Sequence, residues 1–283
     1  MGITLHWFLP TSGDSRNVVP GLGGHSRPAS IDYLGQIARA AENLGFDAVL
    51  TPTGTGCEDA WLVTSALSQH TTRLRFLVAF RPGITNPTLA AQQATTFQRM
   101  TNGRLLVNIV TGGDALEQQR FGDWLSHDER YARTDEFLKI LRGAWSGAPF
   151  VVEGWHYKIT GATSLAPPDP VPEVYFDGAS TVAEDVAARN VDVYLRWGEP
   201  PAMARERMER VRAKRAWARR VHTQLVGSSR QHRLLRRPVG RSCRNGGDTV
   251  EWHIRRQVGQ SGLCHGPGLG RLARTRHRGS GRT

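Results

Sequence analysis

The residues of this chain that could do chemistry sit where short apolar runs end. Cys57 opens a predicted helix, where the positive end of the helix dipole favours a thiolate. Glu58 and Asp59 beside it oppose that field, so no nucleophile is expected, and a small buried apolar role stays open. Thr111-Gly112-Gly113-Asp114 closes another run; glycines there let a ligand approach the backbone, the alternative being a plain tight turn. Gly178-Ala179-Ser180 leads into a helix that starts at Thr181. Backbone N–H groups at such a start, joined by the Ser180 and Thr181 hydroxyls, make a cradle for phosphate. Asp177 stands next to it, and a carboxylate opposes an anion there unless it turns outward. Arg81 and Arg196 also follow apolar runs and can hold an anion, although for Arg196 an ordinary surface position is expected. Metal chemistry has no support: no cysteines form CxxC, and His222, His232, His253, His265 and His277 lack ligand spacing.

Six short strands are predicted to position these groups, at Ile3–Leu9, Asp47–Leu50, Leu74–Ala79, Leu105–Val110, Val174–Phe176 and Val191–Leu195. Between them, apolar residues recur at helical spacing from Ser30 to Gly45, Ala60 to Leu67, Thr88 to Met100 and Asp128 to Trp145. Further helices run from Thr181 to Ala188 and from Met203 to Arg215, and Phe150–Ile159 reads as an inserted β-hairpin. Strands apolar on both faces and alternating with helices belong to a parallel sheet covered by helices. A doubly wound sheet and a (β/α)8 barrel both fit, but no GxGxxG follows the first strand, which disfavours a dinucleotide site. In a barrel, the polar turns after the strands would all share the catalytic C-terminal face.

Charge divides the chain. The 283 residues carry a net charge of +12, yet residues 1–215 are nearly balanced. Residues 216–283 hold 15 Arg, no Lys, one Asp and one Glu, with 11 Gly and a single Ile. Such a segment has little apolar surface to offset its chain entropy. Two parts are therefore predicted: an incomplete barrel over 1–215, and an Arg/Gly-rich tail over 216–283 that is disordered or the product of a shifted reading frame. The competing reading is a basic tail that binds nucleic acid, though only Trp217 and Trp252 offer stacking rings. No apolar run reaches the roughly 18 residues of a membrane span, and the N-terminus lacks a secretory leader, so a soluble cytoplasmic protein is expected.

Five collinear stretches carry a resemblance: Trp7–Thr11, Cys57–Trp61, Val110–Asp114, His127–Tyr131 and Tyr194–Pro201. Together they resemble bacterial alkanesulfonate monooxygenases, members of the luciferase-like, reduced-flavin-dependent monooxygenases, up to about residue 215. The resemblance implies an incomplete TIM-type barrel of about six strands with an insertion around residues 112–172. It also implies reduced flavin mononucleotide (FMN) supplied by a separate NAD(P)H-dependent flavin reductase, and cleavage of an alkanesulfonate to an aldehyde and sulfite for sulfur supply. Another reduced-flavin oxygenase of the same superfamily is the nearest alternative. By the same resemblance, Cys57 and Trp197 belong to the catalytic pocket, and Asn108, Thr111 and Gly112 line the flavin. Gly178, Ala179, Ser180 and Thr181 would hold its phosphate, with Tyr131 as a further donor unless it is an ordinary helix-packing residue. An intact enzyme would be a homo-oligomer without a membrane partner. Ser12 stands where the family commonly has histidine, and Arg196 where threonine is common. The family's later arginine, histidine, tyrosine and lid have no counterpart in residues 216–283. This chain is therefore expected to bind flavin weakly, to release no sulfite, and to expose two strand edges.

Overall fold

The computed structural model describes residues 4–14, 27–196 and 198–214, together with the backbone of 225–227. Its strands are β1 (Leu5–Phe8), β2 (Ala48–Thr51), β3 (Arg75–Phe80) and β4 (Leu105–Ile109), a hairpin β5 (Phe150–Glu153) and β6 (Lys158–Ala162), then β7 (Val174–Asp177), β8 (Val193–Leu195) and β9 (Leu225–Gly227). The main sheet is parallel and runs β8-β7-β4-β3-β2-β1-β9. From β1 to β8 its strands follow chain order without reversal. A doubly wound sheet needs a reversal, so the winding is that of a barrel.

The sheet curls. β1 and β7 are four strand spacings apart, which in a flat sheet would be ~19 Å. The rings of His6 on β1 and Tyr175 on β7 nevertheless lie 6.0 Å apart. Side chains alternate accordingly. Val49, Phe76, Val78, Val107, Ile109, Val174 and Phe176 face the helices in the larger core. Ala48, Leu50, Leu77, Leu106, Tyr175, Val193 and Leu195 line the concave face. The result is a half-barrel of six strands.

Among the described residues, seven α-helices cover or flank the sheet: α1 (Ile31–Asn43), α2 (Ala60–Leu67), α3 (Pro87–Met100), α4 (Ala115–Arg120), α5 (His127–Ala144), α6 (Thr181–Asn190) and α7 (Pro201–Lys214). Their starts follow side-chain chemistry. Ser30, Asp59 and Asn86 accept from Tyr33, Leu62 and Thr88 N–H groups, and Pro87 occupies the first turn of α3. Ser126 and Glu129 form a reciprocal capping box at α5. No helix among the described residues is long and apolar enough to cross a membrane.

Two expectations need correction. Helix α4 lies just past the expected Thr111–Asp114 turn, in a stretch with no expected element, although Asp114-x-x-Glu117 is a helix-start pattern and Asp114 accepts from the Leu116 and Glu117 N–H groups. The edge of β1, expected bare, pairs in parallel with β9, with Leu5 opposite Leu225 and Trp7 opposite Gly227. That strand lies inside the segment assigned to the tail. The remainder of residues 216–283 lies outside the described residues.

Candidate functional site

Several of the expected site residues lie at or just past the C-terminal ends of the strands. Asn108 shares the concave face of β4 with Leu106, is 6% exposed, and its Oδ1 has no partner. Thr11, just past β1, is equally buried with an unpartnered Oγ1. Arg81, one residue past β3, is 5% exposed. Its Nη2 donates to Glu117 Oε2 (2.6 Å) and to the Thr53 carbonyl (3.4 Å), leaving Nε and Nη1 without a described partner. Buried polar groups are normally satisfied, so these orphaned ones at the strand ends are candidates to meet a polar ligand, as others are elsewhere, such as Trp61 Nε1 and Gln93 Oε1 in the helix layer.

The turn after β7 forms a second group. Ser180 caps α6, its Oγ accepting from Ala183 N–H at 3.2 Å. Gly178 has no room for a side chain: a Cβ there would lie 2.4 Å from Ala183 Cβ and 3.0 Å from the Tyr131 hydroxyl. Tyr131, on α5, thus reaches this turn. Burial, followed by the nearby Asp177 charge, pushes its hydroxyl up to about 12, so it remains a neutral donor. Ala179 and Thr181 are exposed, and the Ala179 carbonyl accepts from Arg207 Nη1 (2.7 Å). Asp177 shares the concave-face parity of Tyr175, beside this cradle.

Other residues are placed differently. The Thr111 hydroxyl contacts Thr134 Oγ1 of α5 at 3.2 Å, and Thr134 donates in turn to the Arg130 carbonyl. Thr111 thus ties the end of β4 to α5. Gly112 sits at φ +89°, and its carbonyl accepts from Arg130 Nη2. Cys57 is partly buried three residues before α2, its thiol directed at the Gly54 carbonyl (3.7 Å). Trp197 lies outside the described residues. Arg196 corrects an expectation. Instead of a surface position, it is 3% exposed, donates from Nη1 to Tyr194 Oη (3.1 Å) and pairs with Glu199. The Tyr194 hydroxyl donates onward to the Gly178 carbonyl. Burial holds the Arg196 guanidinium below its usual range.

The residue missed in the sequence is Glu117. It lies on the unrecognised α4, accepts from Thr55 N–H (2.9 Å) with Oε1 and holds Arg81 with Oε2. A groove of about 340 Å³ between α2 and α3, lined by Trp61, Leu62, Leu89 and Met100, belongs to the helix layer and not to the strand ends. We place the site at the strand ends, the catalytic face of a barrel winding.

A family model for luciferase-like monooxygenase matches residues 3–230. The chain belongs to the luciferase-like monooxygenase family. The match extends past residue 215, where the resemblance was expected to stop, and takes in β9.

Solved structures similar to this luciferase-like chain include an EDTA monooxygenase from Chelativorans sp. BNC1, at TM-score 0.68 and 21% identity, covering 83% of this chain and 65% of that one. A long-chain alkane monooxygenase has TM-score 0.68 and 18% identity, with coverage of 79% and 64%. An F420-dependent secondary alcohol dehydrogenase in complex with an F420-acetone adduct has TM-score 0.65 and 20% identity, with coverage of 80% and 69%. The chain therefore spans less than two thirds of the length of the two monooxygenases. At these identities the likeness speaks for the fold.

Proposed function

We propose that this chain contributes the flavin-binding face of a reduced-flavin-dependent monooxygenase. The observation that carries the reading is the buried concave-face Asn108, whose Oδ1 has no described partner, on the strand that pairs with β7, whose end leads into a helix start at Gly178–Thr181 that Tyr131 reaches. FMN fits these groups. Its phosphate would meet the first N–H groups of α6 and the Ser180, Thr181 and Tyr131 hydroxyls. The polar edge of its ring would meet Asn108, with Thr111 and Gly112 shaping the end of β4. When bound, reduced flavin supplies the electrons with which oxygen is activated. The chain orients the ring, excludes water with its apolar concave face and places Cys57 at the rim, with Trp197 assigned by resemblance.

The finer proposal is desulfonation: an alkanesulfonate is converted to an aldehyde and sulfite, with FMN delivered by a separate reductase and the whole enzyme working as a homo-oligomer. Likeness to the F420-dependent dehydrogenase supports a second reading in which F420 occupies the same face. Titration separates them. FMN should bind about tenfold or more tightly than riboflavin, because the cradle serves the phosphate, and Gly178→Ala should remove that margin. Equal affinity for FMN and riboflavin would sink the cradle, and binding of F420 without FMN would favour the second reading. Sulfite trapped by a thiol reagent during turnover with a sulfonate tests the substrate class. Turnover by the whole enzyme without sulfite would point to another reduced-flavin oxygenase, whereas this chain, which lacks the family's later arginine, histidine and tyrosine, is expected to release none.

A further inference from the structure

The turn that leads into α6 is held from behind, one carbonyl at a time. Tyr194 of β8 donates its hydroxyl to the Gly178 carbonyl and accepts from Arg196 Nη1 at 3.1 Å. Arg207 of α7 donates from Nη1 to the next carbonyl, that of Ala179, at 2.7 Å. Both peptides are trans, and in a trans peptide the C=O and the following N–H point in opposite directions. Fixing the Gly178 carbonyl on Tyr194 therefore turns the Ala179 N–H away from Tyr194. Fixing the Ala179 carbonyl on Arg207 turns the Ser180 N–H away from Arg207 in the same manner. Among the described residues neither N–H has an acceptor. Two successive open N–H groups ahead of a helix are the donors of an anion-binding nest. Tyr131, 8% exposed, stands over the same turn, its hydroxyl 3.0 Å from where a Gly178 Cβ would sit.

We propose that Arg196, acting through Tyr194, and Arg207 are positioning residues that lock the Gly178–Ser180 turn with its Ala179 and Ser180 N–H groups open to a phosphate monoester. The inference rests on the flavin-face reading above and names what makes that face select FMN over its phosphate-free form. The guanidiniums act by aim more than by charge. Glu199 pairs with Arg196 and lies 3.5 Å from Arg207 Nη2, and Glu184 of α6 lies 3.7 Å from Arg207 Nε. These carboxylates offset the positive charge that would otherwise draw an anion directly. Direction remains. A cation donating to the Tyr194 hydroxyl polarises it and strengthens its bond to the Gly178 carbonyl. Arg196 is 3% exposed, so this bond forms out of water, and its Nε has no described hydrogen-bond partner. The device belongs to this chain, since threonine is common at this position in the family.

The test uses the full chain with FMN, riboflavin and inorganic phosphate as separate probes. Amide resonances of Ala179 and Ser180 report the nest, and calorimetry reports the flavins. FMN and inorganic phosphate should move both amide protons downfield, and riboflavin should leave them in place. Tyr194→Phe and Arg207→Met should each cut the preference for FMN over riboflavin about fivefold or more, with riboflavin affinity held within about twofold. Arg207→Lys keeps a donor for the Ala179 carbonyl and should restore part of the preference. Arg196→Thr should also lower it, but should add nothing in a Tyr194→Phe background, because Arg196 works through that hydroxyl. Failure of the flavin reading is separable: with neither flavin bound, phosphate-induced shifts at Ala179 and Ser180 that shrink in Tyr194→Phe still support the nest. The inference is overturned if neither phosphate nor FMN moves these two amides in the wild-type chain. It is equally overturned if Tyr194→Phe and Arg207→Met keep the wild-type shifts and the wild-type FMN preference, or if Arg196→Thr and Tyr194→Phe add in full. Unchanged thermal unfolding in Tyr194→Phe and Arg207→Lys keeps each result independent of folding.

Discussion

His6 illustrates how position sets a residue's protonation. It points into the concave face of the half-barrel, fully buried, with neither ring nitrogen hydrogen-bonded. Asp47 Oδ2 is 3.6 Å away, Arg75 pairs with that same carboxylate, and Tyr175 stacks obliquely at 6.0 Å. Glu173 reaches Arg75 at 3.8 Å from β7's side. Burial, and then the Arg75 charge, lower the imidazole from 6.5 to about 3. His6 is therefore neutral at pH 7, and its contact with Asp47 is not an ion pair. The unfolded chain takes up this proton below pH 6.5 while the folded chain does not until about pH 3, so stability falls as pH drops through that window. The slope for one such group is about 1.4 kcal/mol per pH unit. Denaturant unfolding of wild type and His6→Gln at pH 6.5 and 5.0 should show wild type losing about 2 kcal/mol more than the variant. Parallel losses would mean that His6 is hydrated or paired.

At the scale of elements, one carboxylate organises the β5–β6 hairpin. Glu136 of α5 accepts from the N–H groups of Trp155 (3.0 Å), His156 (3.0 Å) and Tyr157 (3.2 Å). The turn is thus fastened to the helix, and Gly154 is pressed so close that a Cβ would meet Glu136 Oε2 at 2.4 Å. Trp155 projects wholly into solvent from it. Glu136→Ala should cost about 2 kcal/mol, the usual range for hydrogen bonds to a charged acceptor, and should speed hydrogen exchange at 155–157 without altering α5. The loop before α5 is held similarly. Arg133 grips Asp123 through both of its terminal nitrogens, and this guanidinium holds the Asp123 carboxyl below its usual range. Arg133→Met leaves a buried carboxylate unpaired, and should cost about 3–5 kcal/mol in unfolding free energy.

For the whole molecule, the described sheet is bounded by β9 on one side and β8 on the other. β9 covers the edge of β1, and the family match ends at residue 230. If that pairing contributes to the fold, a chain of residues 1–230 should protect the amides of Leu5–Phe8 from exchange about tenfold or more relative to a chain of residues 1–214. The shorter chain should also aggregate more readily, since an unpaired parallel edge is a template for further pairing. Equal protection in the two chains would make β9 dispensable and restore the boundary near residue 215.

The alternation of apolar strands and amphipathic helices was legible in the chain itself, because burial on both faces forces nearly continuous apolar runs such as Leu74–Ala79. So was the polar character of the turns that follow the strands. Capping chemistry marked the start of α1 at Ser30, and it was available for α4 in Asp114 and Glu117, although the glycines before it read as a turn. Three decisions belonged to tertiary structure alone. Arg196 is buried because Tyr194 and Glu199 meet it, which composition cannot reveal. Glu117 matters because it reaches Arg81, 36 residues earlier in the chain, and that ion pair exists only once β3 and α4 are side by side. The curl of the sheet brings His6 to Tyr175 across four strand spacings, and a local pattern holds no record of it. Local sequence dictates backbone propensity and which face is apolar. Distance between charges is set only when the strands pair.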